Sequence, residues 1–498
     1  MALSYTINSS LSRTLGLISD LLNRSHLKMP LARRIPEELT EVMGAGADRA
    51  WLVGGSVRDL LMGRTPIDYD IVVSGDFHAV AEMLARRCAA RATRVQQGGR
   101  TVSRVFSGTR RWDVGPVDGG GIASDLARRD FTVNAMAYDL REGRLVDPWG
   151  GMRDLKAGLL RAVTAEALVS DPVRILRAYR IAAELDFRIE AETASDIARK
   201  AGLLRHAPGE RIRTEMMALM QTPRTARHLR QMGDSGAVFS VIPALADLRR
   251  CPSAGAHDRD GWHHTVDVVG GVEQRLRDLQ RAQSTEAAKA VRHFDPGRRA
   301  LLKMTALLHD LGKPSARTVD AEGAVHYYGH ERIGAAMAAS VCRRLRFSRR
   351  EQEHVVVLVR HHLRPLLLFL DGHRKTDGDR AVARLIRQMG DRFPDLALHS
   401  LADAGAKKPW RCASDQDRFD RFVGRLLAAH FHAETIPQKV PVLLNGDDLI
   451  ERFGLKPSPL LRTLLEGVRD GQIAGVIRTR KQALEWVERA IRRRADGG

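Results

Sequence analysis

Residues 52–73 read LVGGSVRDLLMGRTPIDYDIVV, which is a short apolar run, a Gly-Gly turn, a helix-like segment and a second apolar run. In the second run Asp68 and Asp70 alternate with isoleucine and tyrosine. Successive side chains of a strand point to opposite faces, so the pattern predicts both carboxylates on one face. Two carboxylates held this close repel each other, and a divalent metal with oxygen ligands is the usual way to stabilise such a pair.

The Gly-Gly turn adds a second chemical capacity to this stretch. Gly54 and Gly55 are followed by Ser56, which lies directly before the helix-like segment VRDLLMG. Backbone N–H groups in such a turn and at a helix N-terminus bind phosphate. Metal-binding carboxylates beside a phosphate cradle are the parts of a nucleotidyl-transfer site, in which two metals stabilise the attacking and leaving oxygens.

At this spacing, GGSVRD followed by DYD resembles the active-site motif of the DNA polymerase β-like nucleotidyltransferases. Within them it resembles the bacterial class II tRNA nucleotidyltransferase and poly(A) polymerase family. The resemblance implies that Asp68 and Asp70 hold Mg²⁺, which activates the terminal 3′-hydroxyl and stabilises charge on the transferred α-phosphate. It also implies that the nucleotide triphosphate is held by Gly54, Gly55, Ser56 and Arg58.

A third carboxylate is expected from a neighbouring strand, as such sites commonly take one from there. Asp113 ends the segment RRWDV and is the candidate for this position. Further along, RRDFTVNAM matches the second motif of the family almost letter for letter. That resemblance implies sugar and phosphate contacts by Arg129, Asp130 and Asn134.

Composition sets the broad class of the protein. The chain has 498 residues, 44% of them hydrophobic and 28% charged, as in ordinary globular proteins. Its formal net charge of +20 favours a polyanionic partner. Four scattered cysteines without CxxC pairs indicate reduced thiols of a cytoplasmic protein. No apolar run reaches membrane-spanning length, and no signal peptide is recognisable, so we expect no membrane partner.

The pattern of apolar residues changes along the chain. Strand and helix patterns alternate between about residues 29 and 160, which predicts a small α/β sheet domain. The strands are expected at 51–53, 67–73, 101–106, 112–114 and 145–147, and a helix at 77–87. From residue 161 to about 250 the pattern is helical and predicts a neck and body that bind the nucleotide base and RNA.

The helical region carries the segment SDPVRILRAYR at 170–180. Pro172 suits the first turn of a helix, with Ser170 or Asp171 as its cap. The segment resembles the family motif EDxxR, with Ser170 in place of the glutamate. The resemblance implies that Asp171 and Arg174 read the Watson–Crick edge of the incoming nucleotide, and that phosphate or ribose is contacted by Arg177 and Arg180. A carboxylate accepts from exocyclic amino groups and a guanidinium donates to ring acceptors, which suits CTP and ATP.

One connection bears on specificity. CCA-adding members of the family carry a flexible loop between the third-carboxylate strand and the RRD motif. Here VGPVDGGGIAS at 114–124 is the whole connection, and it lacks the arginines and tyrosines of that loop. In the family, loss of the loop goes with enzymes that stop after two C residues. An enzyme that adds CC, with a separate A-adding partner, is therefore the alternative to full CCA addition.

A second constellation lies between residues 257 and 410. The segments GWHHT, LLHDLGK, HYYGHE, LVRHH and ADAG follow one another, and their order resembles the HD metal-dependent phosphohydrolases. Imidazole and carboxylate on adjacent residues readily bridge one or two metals. The resemblance implies a divalent-metal site with the ligands His264, His309, Asp310 and Asp403, joined by His330 and His362 if the site is dinuclear. His263 and His361 are adjacent alternatives of lower rank. The implied activity is that of a phosphatase or 2′,3′-cyclic phosphodiesterase.

The chain is predicted to be a multidomain α+β protein: an α/β nucleotidyltransferase head, then an all-helical neck and body, a helical HD domain and a helical tail. The expected domain ranges are 1–28 (extension), 29–160, 161–250, 257–410 and 411–498. The tail resembles the part of the family that holds the tRNA elbow. The expected activity is template-free addition of C and A to tRNA from CTP and ATP. Poly(A) polymerase, an HD phosphohydrolase acting on RNA ends, a non-catalytic RNA-binding protein and a homo-oligomer stay open.

Overall fold

The structure is a computed structural model that describes residues 35–40, 47–97, 100–252, 260–371, 378–407, 413–433, 443–473 and 477–495. The predicted extension at 1–28 lies outside these residues. The chain forms two compact units. The first extends to Ala207 and includes Asp234–Ser240, and the second comprises Pro208–Gly233 and the chain from Val241 onward. The predicted α+β class is confirmed, and the boundary between the units lies inside the region predicted as one neck and body.

A seven-stranded sheet forms the centre of the first unit, with the strand order β3-β4-β5-β2-β1-β6-β7. Only β2 and β5 pair in parallel, and the other neighbours are antiparallel. All the predicted strands are present, and β3 and β6 had not been singled out. The strands are β1 Ala47–Val53, β2 Asp68–Gly75, β3 Ala92–Gln97, β4 Arg100–Ser107, β5 Arg110–Pro116, β6 Ala137–Asp139 and β7 Arg144–Val146.

Side chains alternate between the two faces of the sheet along β2, as the period of two requires. Tyr69 is buried and stacks on Trp112 of β5, with ring centroids 4.4 Å apart. Its neighbours Asp68 and Asp70 therefore lie on the other face. Trp51 and Val72 are among the side chains that build a hydrophobic core of this unit.

Helices pack around the sheet and continue the first unit. The helix predicted at 77–87 is present with these bounds, capped by Asp76, whose carboxylate accepts the N–H groups of His78 and Ala79. The helices are α1 Glu37–Thr40, α2 Gly55–Leu61, α3 Phe77–Arg87, α4 Gly121–Ala127, α5 Gly151–Ala157, α6 Ala167–Ser170, α7 Val173–Leu185 and α8 Ala191–Lys200, with 3-10 turns at Thr132–Asn134 and Ala201–His206. A two-stranded sheet joins β8 Leu159–Leu160 to β9 Arg188–Ile189.

The described residues of the second unit are helical apart from one short hairpin, β10 Thr318–Val319 with β11 Val325–His326. Four helices cover the part of the chain in which it passes between the two units: α9 Gly209–Gln221, α10 Thr225–Asp234, α11 Ala237–Val241 and α12 Ala244–Asp247. A 3-10 turn follows at Leu248–Arg250. The central helices are α13 Gly261–Arg281, α14 Thr285–His293, α15 Pro296–Leu308, α16 Lys313–Ala316, α17 His330–Arg344, α18 Arg349–His361, α19 Arg364–Asp371, α20 Gly378–Met389 and α21 Phe393–Ala406, with a 3-10 turn at Gly390–Arg392.

The last helices are α22 Ala413–Ala433, α23 Gly446–Phe453, α24 Pro459–Ile473 and α25 Arg480–Ala495. The cap-and-helix pattern of the tail sequence predicts a helix that ends at Gly454, and this glycine caps α23 in the left-handed conformation. Leu449, Leu464 and Val487 belong to a separate small hydrophobic core in this tail. Among the described residues, every helix is too short or too polar to cross a membrane.

Candidate active sites

The first candidate site lies at the start of β2. The Asp68 side chain is half exposed and its carboxylate lies 2.9 Å from the guanidinium of Arg111. Asp70 lies deeper, and burial is the main cause that raises the pKa of its carboxyl group. The nearby carboxylates of Asp113 and Asp68 raise that pKa further, whereas Arg129 and Arg111 lower it. Such a carboxylate binds a proton readily and gains most from a bound cation.

The structure places Asp113 beside Asp70, since the two residues are paired across the parallel strands β2 and β5. Both carboxylate oxygens of Asp113 accept hydrogen bonds from Arg104, at 2.7 and 2.9 Å. Arg111 lies between Asp113 and Asp68, at 3.5 and 2.9 Å. Sequence reasoning missed both arginines, although Arg111 stands two residues from Asp113 on the same strand.

The two arginines affect how the carboxylates converge. Within the described part of the chain, groups of three ligating side chains with all ligand atoms within 4.8 Å occur only in the second unit. Asp68, Asp70 and Asp113 are neighbours, but Asp68 is paired with Arg111 and Asp113 with Arg104. An all-oxygen donor set suits Mg²⁺. Asp68 and Asp70 therefore fit the metal, and a direct ligand role for Asp113 stays a prediction.

Gly54 directly follows β1 and lies close to Asp70, with φ +76°. A Cβ atom at this position would lie 2.6 Å from Nη1 of Arg129 and 3.3 Å from Oδ2 of Asp70. Helix α2 then starts at Gly55, two residues earlier than the sequence pattern indicated. The Ser56 side chain is buried and its hydroxyl donates to the Val53 carbonyl at 2.7 Å, so the turn is fixed from inside.

The RRD motif lies directly against this turn. Arg58 donates to the amide oxygen of Asn134 at 2.7 Å, and Asn134 donates to Asp130 at 3.0 Å. Burial would raise the pKa of Asp130, but the Arg177 guanidinium and the hydrogen bonds from Asn134 and the Phe131 N–H lower it. The structure thus brings these predicted nucleotide-binding residues into one network. Asn134 lies in a 3-10 turn rather than in a longer helix.

The residues predicted to read the base lie at the start of α7, with Asp171 two residues before the helix and Arg174 in its first turn. Of the two predicted caps, Asp171 accepts the Val173 N–H at 3.3 Å, while the Ser170 hydroxyl donates to the Ala167 carbonyl. Arg174 reaches back to the RRD motif and donates to the carbonyl of Arg128 at 2.8 Å. The side chains of Asp171 and Arg174 remain 22% and 18% exposed, and 3.9 Å separates them.

The other two arginines of α7 point to different partners. Arg177 lies 3.4 Å from Asp130, which places it in the network of the RRD motif. Arg180 pairs with Glu184 of the same helix at 2.8 Å. The predicted phosphate or ribose contact of Arg177 has structural support from this position, and that of Arg180 stays a prediction.

The short connection after β5 is tied to its surroundings. The first three residues of 114–124 continue β5, and the last four belong to α4. Asp118 pairs with Arg100 at 3.0 Å and with Arg128 at 3.1 Å, and it accepts from the Ser124 hydroxyl at 2.9 Å. Asp125 adds contacts to Arg100 and Arg129, at 3.2 and 3.0 Å. We call Arg100, Asp118, Asp125 and Arg128 the connection clamp.

A cleft of about 420 Å³ unites these parts. Its walls come from β1, β2, β5, the connection clamp, the RRD motif and α7. The polar lining residues are Asp70, Arg100, Asp113, Asp125, Arg128, Arg129, Asp130, Arg174 and Arg177. Five arginines beside two of the three predicted metal carboxylates give the cleft the charge that a nucleoside triphosphate requires.

The second candidate site is a cluster in the second unit, formed by α13, the end of α15, the start of α17, the end of α18 and α21. All six predicted ligands are buried: His264, His309, Asp310, His330, His362 and Asp403. Asp310 is shared by two groups of three, one with His264 and His309 and one with His330 and His362. The arrangement matches the dinuclear version of the predicted ligand set.

Three histidines of this cluster have a fixed orientation. Nδ1 donates to the carbonyl three residues earlier in each case, at 2.8 Å for His309 and at 2.7 Å for His330 and His362. A carbonyl can only accept, so each Nε2 carries a lone pair toward the cluster. Nε2 of His330 lies 3.3 Å from Nε2 of His362, and neither can donate to the other. A cation between them removes this conflict, which fits a metal.

The charges of the cluster point the same way. The positive charge of His309 in its protonated form and the Lys313 ammonium together outweigh burial and hold the pKa of Asp310 well below its usual range. Lys407 and His264 do the same for the pKa of Asp403. His264 Nε2 lies 3.1 Å from Asp403 and 3.5 Å from Asp310. Ionised carboxylates and neutral imidazoles are the forms that bind metal.

Sequence reasoning missed three side chains near the cluster. His399 is buried, its ring centroid lies 5.1 Å from that of His309, and neither ring nitrogen has a hydrogen-bond partner among the described residues. Burial lowers the pKa of His399 to about 3. Lys313 and Lys407 lie 2.6 Å from carboxylate oxygens of Asp310 and Asp403. The spacing of His399 and Lys407, four residues before and after Asp403, is the signal that places them on one side of α21.

The lower rank of the two adjacent histidines agrees with the structure. His263 is 55% exposed and pairs with Asp260. His361 contacts Gln388 at 3.4 Å. Neither belongs to the metal-binding groups found among the described residues.

Comparison with known proteins finds three family models along the chain. Residues 50–116 and 116–161 match the poly A polymerase head domain. Residues 186–248 match a family described as "Probable RNA and SrmB- binding site of polymerase A", and residues 262–394 match the HD domain. The head-domain match contains the carboxylates, the Gly54 turn and the RRD motif of the first candidate site but not its α7 residues, and the HD match contains five of the six clustered ligands.

Whole-length relatives agree with these matches. The chain is 32% identical to the A-adding tRNA nucleotidyltransferase of Deinococcus radiodurans over 451 residues, which covers 88% of this chain and 95% of the relative. It is 32% identical to the CC-adding tRNA nucleotidyltransferase of Geobacter sulfurreducens, covering 91% and 94%. The Thermotoga maritima CCA-adding enzyme complexed with tRNA has the same fold, with a TM-score of 0.62 and 21% identity over 93% of this chain and 97% of that one.

Proposed function

The chain belongs to the tRNA nucleotidyltransferase family, and on that premise we propose that it adds C and A to the 3′ end of tRNA from CTP and ATP without a nucleic-acid template. The observation that carries the proposal is the cleft in which Asp70, the Gly54 turn and the RRD motif meet. A relative's specificity does not transfer by itself, so the substrates rest on the chemistry of this cleft.

The reaction joins the 3′-oxygen of the RNA to the α-phosphorus of the nucleotide and breaks the bond to pyrophosphate. Asp68 and Asp70 would hold Mg²⁺, which when bound lowers the pKa of the hydroxyl and neutralises the developing charge. Arg129 lies against Gly54, and its guanidinium donates charge-assisted hydrogen bonds to a triphosphate bound at the turn. Asp130 and Asn134 hold Arg58 and Arg177 in place for phosphate and sugar.

The base is selected on α7. The Asp171 carboxylate accepts from the exocyclic amino group that cytosine and adenine share, and Arg174 donates to their ring acceptors. Uracil and guanine present a carbonyl oxygen at the amino position, and this oxygen cannot donate to the carboxylate. The carbonyls that bind Arg174 keep its guanidinium in one orientation.

A CC-adding enzyme is the second candidate, and the connection clamp favours it. Selecting ATP after CTP in one cleft needs the walls to move between the two bases. Here the loop is short, and Asp118 joins it to Arg100 on β4 and to Arg128, the first residue of the RRD motif. These contacts oppose movement, so the enzyme would stop after two C residues and a separate protein would add A.

The HD cluster supports an additional phosphohydrolase activity on a phosphoester. Two groups of ligands sharing Asp310 would hold one or two divalent metals, which when bound would supply an activated water. Lys313 and Lys407 place two ammonium groups at the edge of the cluster, where they suit the charge of a phosphate. Poly(A) polymerase activity is less consistent with an intact HD cluster.

The remaining assignments follow from this proposal. Residues up to about 160 form the catalytic head, 161–250 bind base and RNA, and the helices after 411 bind the tRNA elbow. The net charge of +20 is consistent with a tRNA partner.

The testing experiment uses purified protein, Mg²⁺ and tRNA transcripts that end before CCA, after C and after CC. Nucleoside triphosphates are supplied singly and together, and products are resolved to one nucleotide. Completion to CCA supports the first proposal, and addition of CC with a CC-ended tRNA inert to ATP supports the second. Long A tracts on unrelated RNA, or no incorporation, would overturn both, and Asp68→Ala should abolish transfer while leaving phosphohydrolysis intact.

A further inference from the structure

An exposed aromatic ring stands beside the HD cluster. Tyr328 is 78% exposed and stacks on the ring of His326, with centroids 5.1 Å apart and the planes 12° from parallel. His326 is held from behind, because its Nε2 lies 2.6 Å from the carboxylate of Asp320 and its backbone pairs with Thr318 in the hairpin of β10 and β11. Tyr328 thus presents an open ring on a fixed support.

The same segment carries a ligand of the cluster. Tyr328 is followed by Gly329, with φ +73°, and then by His330 at the start of α17. His330 donates from Nδ1 to the Tyr327 carbonyl and points Nε2 to Asp310 at 3.3 Å. Two residues span at most about 7 Å between Cα atoms, so the Cα atom of Tyr328 is within that distance of the Cα atom of His330, a predicted metal ligand.

A cation lies between the aromatic segment and the cluster. Nζ of Lys313 is 2.6 Å from Oδ2 of Asp310 and 5.6 Å from the ring centroid of Tyr327. A phosphate at the cluster would find this ammonium beside it. An organic group attached to that phosphate on the side of Lys313 would extend along the segment toward Tyr328.

We propose that the stacked pair of His326 and Tyr328 is a base-binding platform, and that it holds the terminal nucleobase of a ribonucleoside phosphoester whose phosphate lies at the HD cluster. An aromatic ring binds any base through its π face, and this suits an RNA end of variable sequence. An aliphatic phosphoester would leave the platform unused. The inference rests on the proposed phosphohydrolase activity for its substrate class, and base binding can be measured without turnover.

The binding test uses 2-aminopurine ribonucleoside 3′-phosphate, whose fluorescence is quenched on stacking. The full chain should quench it saturably, Tyr328→Phe and Tyr328→Trp should keep the quenching, and Tyr328→Ala should weaken binding about 5- to 150-fold, as expected for one stacked base. Val319→Ala is the matched control, because Val319 is also exposed on this hairpin and lacks a ring. Equal quenching by Tyr328→Ala and the parent chain would overturn the platform.

The turnover test separates the platform from the activity itself. With Mg²⁺, Mn²⁺, Co²⁺ or Ni²⁺, Tyr328→Ala should raise the KM for 2′,3′-cyclic AMP by the same factor and leave kcat unchanged. Hydrolysis of the base-free glycerol 1,2-cyclic phosphate should be the same in both proteins. An equal loss on both substrates would overturn the platform. If no metal supports hydrolysis, the phosphohydrolase proposal fails while the fluorescence result still decides the platform, and tRNA nucleotidyl transfer by Tyr328→Ala reports correct folding.

Discussion

Asp113 on β5 is paired directly with Asp70 on β2, yet both carboxylate oxygens of Asp113 accept hydrogen bonds from Arg104. The residue that the sequence offers as a third metal ligand is therefore held by an arginine. Asp113 also contributes to raising the pKa of Asp70. We therefore expect a division of roles in which Asp70 would bind the metal directly and Asp113 would act on Asp70 without contacting the metal.

This division predicts different losses of activity. Asp70→Asn should lower kcat for CMP transfer by about 10²–10³-fold, as for loss of a direct electrostatic group. Asp113→Asn should cost about 10–100-fold, as for a residue behind the ligands. Single-turnover transfer in saturating Mg²⁺ measures both. Equal losses would show that Asp113 releases Arg104 and ligates the metal itself.

Gly54 should be sensitive to the smallest substitution. Gly54→Ala puts a methyl group 2.6 Å from Nη1 of Arg129 on a backbone with positive φ, so transfer should fall sharply and stability by about 1–3 kcal/mol. Gly108→Ala is the control, because Gly108 also has positive φ but nothing lies within 4 Å of its Cβ position. Urea unfolding and CMP transfer should separate the two variants, and normal transfer by Gly54→Ala would contradict the close fit.

Loosening the connection clamp should alter nucleotide choice. Asp118→Asn removes the charge that binds Arg100 and Arg128, each worth about 1 kcal/mol or less at a partly exposed site. We expect the ratio of kcat/KM for ATP and CTP on CC-ended tRNA to change by up to about tenfold. Glu142→Gln, which removes a surface pair with Arg144, is the control and should leave the ratio unchanged. An unchanged ratio in Asp118→Asn would show that the connection clamp does not control the choice between ATP and CTP.

The HD cluster should bind two metal ions through separate histidines. After loading with Mn²⁺ and desalting, His264→Ala and His330→Ala should each lose one of the ions, and Asp310→Ala should lose both because it is shared. His263→Ala is the matched control, since this neighbour of His264 is exposed and lies outside the cluster. Mass spectrometry of the eluted metal measures the stoichiometry, and a full complement in Asp310→Ala would exclude the bridging geometry.

A buried ion cluster should dominate the stability of the second unit. Asp395 is fully buried and contacts Arg298 at 2.8 Å, His293 at 3.3 Å and His354 at 3.2 Å. Asp395→Asn leaves Arg298 without this charge and should cost about 3–5 kcal/mol. Asp391→Asn removes a 65% exposed partner of the same arginine and should cost about 1 kcal/mol or less. Urea unfolding compares the two.

The same residue gives a pH dependence. Hydrogen bonds from His293 and His354 outweigh burial and lower the pKa of Asp395 in the folded state. A lowered pKa stabilises the fold above the pKa of the unfolded chain, about 3.9, and that stabilisation is lost as pH falls toward the folded value. Asp395→Asn should therefore show a smaller loss of stability than the parent chain between about pH 5 and pH 3. An identical acid dependence would argue against the paired, ionised carboxylate.

Sequence reasoning located the elements that local pattern determines. The alternation of Asp68 and Asp70 predicted β2 and its polar face, the segment 77–87 gave α3, and Gly454 marked the end of α23. The order of histidine and aspartate segments likewise predicted six ligands that lie together. The predicted site residues are positioned as a group, and their individual roles await the experiments above.

By itself the sequence determined which chemical groups are present and in which order, because strand alternation and helix periodicity place side chains on faces over a few residues. Only the tertiary structure decided what those groups contact. It joined Arg104 to Asp113 across two strands, turned the lone pairs of His330 and His362 toward each other, and buried His399 beside His309. Such contacts depend on rotamers and on packing between distant segments, which no local period encodes.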